Sequence, residues 1–314
     1  MEHLMKPFNI YTVIVTYNGI KWIKECLDSV VEQSKVVVVD NLSTDATVSF
    51  IKEHYKDVIV IEQSVNQGFG KGNNIGIKYA LDNNADYILL INQDAKLKEN
   101  SLEKFKKLSE QNPDFGIISP IHCDWSGKFL ESSFSKYVNY KFNKDFYSDF
   151  VLQKPKQSLY QVPFIAAACW FLPMSTFKKV GGFDPIFFHL GEDVNFAQRV
   201  IFHGLKIGVS ADLFVSHDTK DRVYEHIERF SDAYFYRLNY REKILFADIN
   251  FKNWKRKLKH KKSQVFKDAL FLLMQLKLKK FFGATKEYRF YKNLEIECSK
   301  SRVLNKTIGS HYLN

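Results

Sequence analysis

The run Tyr87-Ile88-Leu89-Leu90-Ile91 is apolar or aromatic throughout and stops abruptly at Asn92-Gln93-Asp94. A continuous run of this length reads as a strand buried on both faces, the kind found inside a parallel sheet. The polar cluster cannot continue it. Ligands of open α/β sheets sit just beyond the carboxyl ends of the strands, and a carboxylate flanked by amides there is suited to a hydrated or phosphate-bound cation. A solvated strand-ending turn would use the same residues.

The neighbouring segments repeat the pattern. Residues 9–15 form a β-branched strand that ends at Thr16-Tyr17-Asn18-Gly19, and helical spacing follows over residues 20–33. Residues 35–39 form a second buried strand, closed by Asp40 to Asp45, with Thr44 or Asp45 capping a helix over residues 46–55. A third strand covers residues 58–61, and the glycine-rich residues 66–74 open a helix that runs to Leu81. Strands alternating with helices at this spacing predict an α/β fold with a mainly parallel sheet. The first and fourth strands are expected to flank the point where strand order reverses, bringing Thr16, Tyr17, Asn18, Asp40 and Asp94 to one edge.

Gly68, Gly70 and Gly72 do not make a dinucleotide fingerprint, which needs G-x-G-x-x-G directly after the first strand. Lys71 is followed by Gly72, so no P-loop is present either. The glycines instead let the backbone approach a ligand closely.

Further along, a strand is expected at residues 116–119, an extended aromatic and polar excursion at 124–161, a helix at 174–180, a turn at 181–185, a helix at 194–203 and a strand at 208–214. The segments VIVTYN (13–18), VVVDNLSTD (37–45), NQGFGKGNNIG (66–76), LLINQDA (89–95), VGGFDPIFF (180–188), GEDVNFAQR (191–199) and SH (216–217) together resemble family 2 glycosyltransferases. Within that family the rhamnosyltransferase and galactofuranosyltransferase group of bacteria is most similar, over residues 9–220. The resemblance implies the GT-A fold and an inverting reaction with a UDP- or dTDP-sugar donor. Thr16, Tyr17, Asn18 and Asp40 match the segments holding base and ribose; Asn66, Gly68 and Asn74 match the loop and helix start beside the nucleotide. Asn92 and Asp94 match the two ends of the D-x-D motif for Mg²⁺ or Mn²⁺, with Gln93 between them facing the nucleotide sugar and His217 as a further ligand. Asp193 matches the catalytic base, with Glu192 beside it.

The chemistry asks for these groups. A departing diphosphate needs its charge stabilised, and a weakly acidic acceptor hydroxyl needs a carboxylate to take its proton. One base and no protein nucleophile gives inversion. Other readings of the same residues are structural: Asp193 favouring its helix amino terminus, His217 satisfied at a strand end, Arg199 in a structural ion pair, Trp170 as core rather than a sugar platform. Asn92 in place of the first acid weakens the metal motif, Asn195 stands where many members carry another acid, and Ala166-Ala167-Ala168 stands where glycine is usual.

Charge divides the chain. Residues 1–220 carry a net −1 and residues 221–314 a net +12. A catalytic domain over 1–220 and a helical basic extension over 221–314 follow, with a helix expected over residues 225–246, the strongest basic run at 253–262, and apolar patches alternating with Lys277, Lys279 and Lys280 over 265–282. Basic amphipathic helices with Trp and Phe suit an anionic membrane surface, here through residues 250–285, and so suit a glycan or lipid-linked glycan acceptor. A homo-oligomer interface or simple packing would use the same faces. Nucleic-acid binding is not expected, because the basic residues form no recognised module. The first nine residues lack an apolar signal region, no apolar run approaches the ~20 residues that span a bilayer, and the four cysteines are scattered. A cytoplasmic enzyme at the inner face of the membrane is the expectation. The competing classes are a sugar-nucleotidyl transferase, which should carry a basic Gly-rich loop after the first strand, and a weakly catalytic glycan-binding or scaffolding subunit.

Overall fold

The structure is a computed structural model that describes residues 9–219 and 227–313. Its first half alternates as expected: β1 (Ile10–Thr16), α1 (Ile23–Asp28), β2 (Lys35–Asp40), α2 (Thr47–His54), β3 (Ile59–Glu62), α3 (Phe69–Asp82) and β4 (Tyr87–Ile91). Then come β5 (Ala95–Leu97), α4 (Ser101–Gln111), β6 (Phe115–Asp124), α5 (Phe134–Tyr137), α6 (Lys144–Val151), β7 (Leu159–Gln161), β8 (Cys169–Pro173), α7 (Met174–Val180), α8 (Glu192–Phe202) and β9 (Lys206–His217). Three helices finish the chain: α9 (Asp232–Ala247), α10 (Trp254–Met274) and α11 (Leu278–Asn305). The start of the helix expected from residue 225 lies outside the described residues.

The sheet order is β3-β2-β1-β4-β8-β6-β9-β5, with β7 also on β9. β1, β2, β3, β4, β6 and β9 run one way, and β5, β7 and β8 run against them. The order reverses between β1 and β4, as expected. The carboxyl ends of β1, β2, β4, β6 and β9 therefore share one edge.

Both sheet faces are buried, which is why these strands read as unbroken apolar runs. Val13, Val37, Val39 and Leu90 face α3 and α8 through Ile77, Ala80, Phe196 and Val200. Ile14, Val36, Val38, Leu89 and Ile91 face Ile23, Cys26 and Leu27 of α1 and Phe105 of α4. The approach of α3 to β1 is close: a Cβ on Gly76 would lie 2.3 Å from the Val13 side chain.

Two expectations need correction. Residues 20–33 are helical only over Ile23–Asp28, with turns on both sides. Residues 124–161 are not an extended excursion. Phe134, Val138, Phe146 and Tyr160 are buried, Phe146 meets Phe134 and Tyr160 edge-on, and α5 and α6 pack on the main core. Their aromatic content is core rather than surface.

The C-terminal helices have an apolar cluster of their own, with Phe246, Trp254, Leu258, Val265, Tyr291, Leu294 and Cys298. They are also bound to the sheet domain. Asp184 Oδ2 accepts from Ser301 Oγ at 2.6 Å and Asn305 Nδ2 at 2.7 Å, and Leu313 is buried in the main core.

Asn74 is a brace. Its Oδ1 accepts from Phe183 N at 2.7 Å and its Nδ2 donates to Phe183 O at 2.8 Å, so both ends of the amide are used on the 181–185 turn. Asn74→Ala leaves two buried main-chain groups unpaired and is expected to cost about 1–3 kcal/mol. Urea melts would report that loss; unchanged stability together with lost nucleotide binding would restore Asn74 to the ligand.

Candidate active site

At the reversal point, the tips of β1 and β4 are joined by one side chain. Gln93 Oε1 accepts from Thr16 Oγ1 at 2.6 Å and from Tyr17 N at 3.0 Å, and its Nε2 donates to Tyr17 O at 3.2 Å. Tyr17 itself is about half exposed and lines the cleft. Asn18, at φ 49°, accepts from Thr44 N through Oδ1 and donates its own N–H to Ser43 Oγ, which binds the β1 and β2 loops together. Asp40, paired in register with Thr16, accepts from Ser43 N through Oδ2, while its buried Oδ1 has no partner.

The glycine-rich segment closes one wall. Asn66 Oδ1 accepts from Gly68 N at 2.9 Å, and Asn41 spans the segment by accepting from Gln67 N and donating to Gly68 O. Gly68 has φ 79°, and a Cβ there would lie 1.9 Å from the Phe188 carbonyl oxygen, so no side chain fits. This contact carries the loop before α8 onto the start of α3.

Asp94 lies on the other wall. β5 reverses immediately after it and pairs Ala95 with His217, so Asp94 and His217 meet across the sheet edge. His217 Nε2 is 3.4 Å from Asp94 Oδ1, and His217 Nδ1 is 3.3 Å from Glu131 Oε2. Burial alone would lower the His217 pKa, but hydrogen bonds and charge from Asp94 and Glu131 outweigh it and push it up to about 9. Burial likewise opposes ionisation of Glu131, yet the two histidines beside it hold its carboxyl far below the usual range. Asn92 Oδ1 is buried without a partner. Among the described residues no three His, Cys, Asp or Glu side chains are grouped to hold a metal. A carboxylate, an imidazole and an orphaned amide oxygen fit a cation that takes its remaining ligands from outside the protein.

α8 begins three residues after His189, which lines the cleft; Glu192 and Asp193 are not themselves among the lining residues. Gly70 is packed against Glu192, where an added Cβ would come within 3.4 Å of the Glu192 side chain. Glu192 is buried, its Oε2 has no partner, and burial, with the Asp193 charge second, raises its pKa to about 8. Asp193 is half-buried and accepts from Val194 N at 2.7 Å. Arg199 fixes this helix: it donates to Val180 O, Gly182 O and Asn195 Oδ1 and is fully buried. Its role is structural, as expected, but through carbonyls and an amide rather than a carboxylate ion pair.

The cleft encloses about 420 Å³. Of the residues singled out in the sequence, Tyr17, Asn66, Gly68, Asn92, Gln93 and Asp94 line it. Thr16, Asn18 and Asp40 stand just behind the strand tips, and His217 behind Asp94. Trp170 belongs elsewhere: it is fully buried and packs 6.4 Å from Phe183 and 5.8 Å from Phe196, so no sugar can reach its face. Asn74 is committed to Phe183. Asn41, Phe188, His189 and Tyr236 also line the cleft and were not foreseen. Asn41 directly follows Asp40 and could have been found there; the others come from distant segments.

A family model described as Glycosyl transferase family 2 matches residues 11–181. A low-salt glycan biosynthesis hexosyltransferase of Haloferax volcanii is 24% identical over 241 residues, covering 76% of this chain and 75% of that protein. A dTDP-rhamnosyl transferase of Shigella flexneri is 26% identical over 219 residues, covering 68% and 70%. Among solved structures, S. aureus TarS in complex with UDP-GlcNAc superposes with a TM-score of 0.55 at 16% identity, covering 95% of this chain and 89% of that one. That likeness shows a shared fold.

The buried Glu192 gives a pH signature. Its folded pKa of about 8 exceeds the ordinary 4.5, so the folded chain holds a proton that the unfolded chain releases. Stability contributed by this group falls as pH rises from about 4.5 to about 8 and then levels. Glu192→Gln removes the titration, so its melting temperature should gain on the native chain between about pH 5 and about pH 8. Melts of both chains across that window test it, and parallel pH profiles would contradict the raised pKa.

Proposed function

The chain belongs to glycosyl transferase family 2, and on that premise we propose that it moves a single sugar from a UDP- or dTDP-sugar to a hydroxyl of a glycan acceptor with inversion. That it is a glycosyltransferase of glycan biosynthesis follows from the family match and the relatives. The observation that carries the finer reading is one cleft lined by Tyr17, Asn66, Gly68 and Asp94, with Phe188 and His189 of the loop that leads into the Glu192-Asp193 helix start also on its wall.

In this reading Tyr17 offers its ring to the base, and the unpartnered Asp40 Oδ1 accepts from a base N–H or ribose hydroxyl. The backbone at Gly68 lies against the nucleotide. Asp94 and His217 would hold Mg²⁺ or Mn²⁺, with Asn92 Oδ1 as a neutral neighbour. When bound, the cation stabilises charge on the departing diphosphate as a Lewis acid. Asp193 takes the proton of the acceptor hydroxyl. Glu192 keeps its own proton at neutral pH and cannot serve as a second base. A single base acting in line on the anomeric carbon inverts its configuration.

The acceptor is a lipid-linked glycan in this reading, met at the cytoplasmic face of a membrane. No helix among the described residues is long and apolar enough to cross a bilayer. Within residues 250–285, Trp254 and Leu258 are buried and Lys261 and Lys262 are paired with Glu242 and Glu295, while Lys255, Arg256, Lys257 and Lys259 are exposed as a basic face of α10. The α10–α11 turn is different: Phe271, Met274, Leu276, Leu278 and Phe282 are exposed beside Lys277, Lys279 and Lys280. Apolar side chains ringed by lysines suit the headgroup region of an anionic bilayer.

Two measurements test these readings. Asp193→Asn should lower sugar transfer by at least about 100-fold while nucleotide-sugar binding, read by thermal shift with and without Mn²⁺, persists; equal transfer by the two chains removes Asp193 from the chemistry. Met274→Glu combined with Leu276→Glu should abolish sedimentation with anionic phosphatidylglycerol vesicles. Unchanged sedimentation removes the turn from docking, and a dimer lost in the same variant would instead assign this face to self-association.

A further inference from the structure

Glu131 was not singled out by any motif, yet it is 4% exposed and lies between two buried histidines. A hairpin holds it there. Asp124 N donates to Phe129 O at 2.8 Å and Glu131 N to His122 O at 2.9 Å, while the Asp124 carboxylate accepts from Ser126 Oγ, Lys128 N and Phe129 N inside the turn. β6 and β9 run parallel with Asp124 opposite His217, so this hairpin lies directly over the end of β9.

The proton arrangement follows from the acceptors. Ser119 Oγ donates to Cys169 O at 2.9 Å, and a carbonyl can only accept. His122 Nε2 lies 3.0 Å from the same Ser119 Oγ. His122 Nδ1 lies 3.3 Å from Glu131 Oε2 but is out of line for a hydrogen bond to it. A carboxylate can only accept, so the hydrogen bond that Glu131 shares with His217 Nδ1 uses the proton of that ring.

We propose that Glu131 is a positioning residue for the cation: by accepting the Nδ1 proton of His217 it fixes the ring tautomer and turns Nε2 toward Asp94. This rests on the reading of Asp94 and His217 as cation ligands. A carboxylate behind a ligating imidazole orients the ring and raises its basicity, and its loss weakens metal affinity about 10–100-fold. Asp94 and His217 then act as a preset pair, although Asn92 supplies no charge.

The test uses the full chain. Titration calorimetry with Mn²⁺ in the presence of UDP, and separately dTDP, should show Glu131→Gln binding Mn²⁺ about 10–100-fold more weakly than the native chain. ¹⁵N imidazole spectra of the native chain with Mg²⁺ and the nucleotide should place the His217 proton on Nδ1. Equal Mn²⁺ affinity in the folded variant, or a His217 proton on Nε2, overturns the proposal. If the variant does not fold, the native-chain spectrum decides. A native chain that binds no Mn²⁺ with either nucleotide overturns the cation reading itself, which separates that failure from the failure of Glu131 alone.

Discussion

The cleft exists because two parallel neighbours, β1 and β4, send their following chains to opposite sides, and Gln93 holds the resulting gap at a fixed width. Its amide is used three times, on Thr16 Oγ1 and on the N–H and carbonyl of Tyr17. An amide suits this position because it both donates and accepts; a carboxylate there could not meet the Tyr17 carbonyl. Every other functional group is set relative to that gap. Tyr17 follows β1 directly, Asp40 lies in register with Thr16, and Asp94 follows Gln93.

Local patterns reveal this half of the molecule. β1, β2 and β4 are unbroken apolar runs because both sheet faces are covered, and their polar ends stand out against that background. The aromatic stretch of residues 124–161 has no such contrast. Phe134, Phe146 and Tyr160 pack at irregular spacing across short elements, so their burial leaves no periodic trace. Asn74 lies within one of the segments matching the family pattern and Trp170 within the matched residues 11–181, but such a match does not separate residues that face a ligand from those that support the fold. Burial separates them. Trp170 is enclosed by Phe183 and Phe196, and Asn74 spends its amide on Phe183.

The corner of Asp94, Glu131 and His217 depends on pairings that no local window contains. Asp94, Glu131 and His217 come from three separate segments, joined only because β9 pairs with both β5 and β6. The electrostatics show why Glu131 belongs there. His217 is buried, and hydrogen bonds and charge from Asp94 and Glu131 push its pKa up against that burial. Asp94 supplies part from the cleft side, and Glu131 supplies the rest from behind, out of reach of solvent. A buried carboxylate with no charged partner would be strongly unfavourable, so each member of the chain makes the next one tenable.

The basic extension stands in the same mechanical path as α8. Ser301 and Asn305 of α11 bind Asp184, and Gly182 N donates to His311 O. The Gly182 carbonyl in turn accepts from Arg199, whose other bonds run to Val180 O and to Asn195 on α8. The turn at residues 180–184 is therefore gripped from one side by the extension and from the other by the helix that begins with Glu192 and Asp193. Main-chain carbonyls bonded to a buried guanidinium have little freedom, and a guanidinium this deep keeps its donors satisfied only while those carbonyls stay in place. Removing the extension would strip Asp184 of two partners and expose the packing around Leu313, loosening the turn that orients α8. The charge asymmetry of the chain marks a difference in surface chemistry between its parts, while the hydrogen bonds join them at the turn that leads into α8.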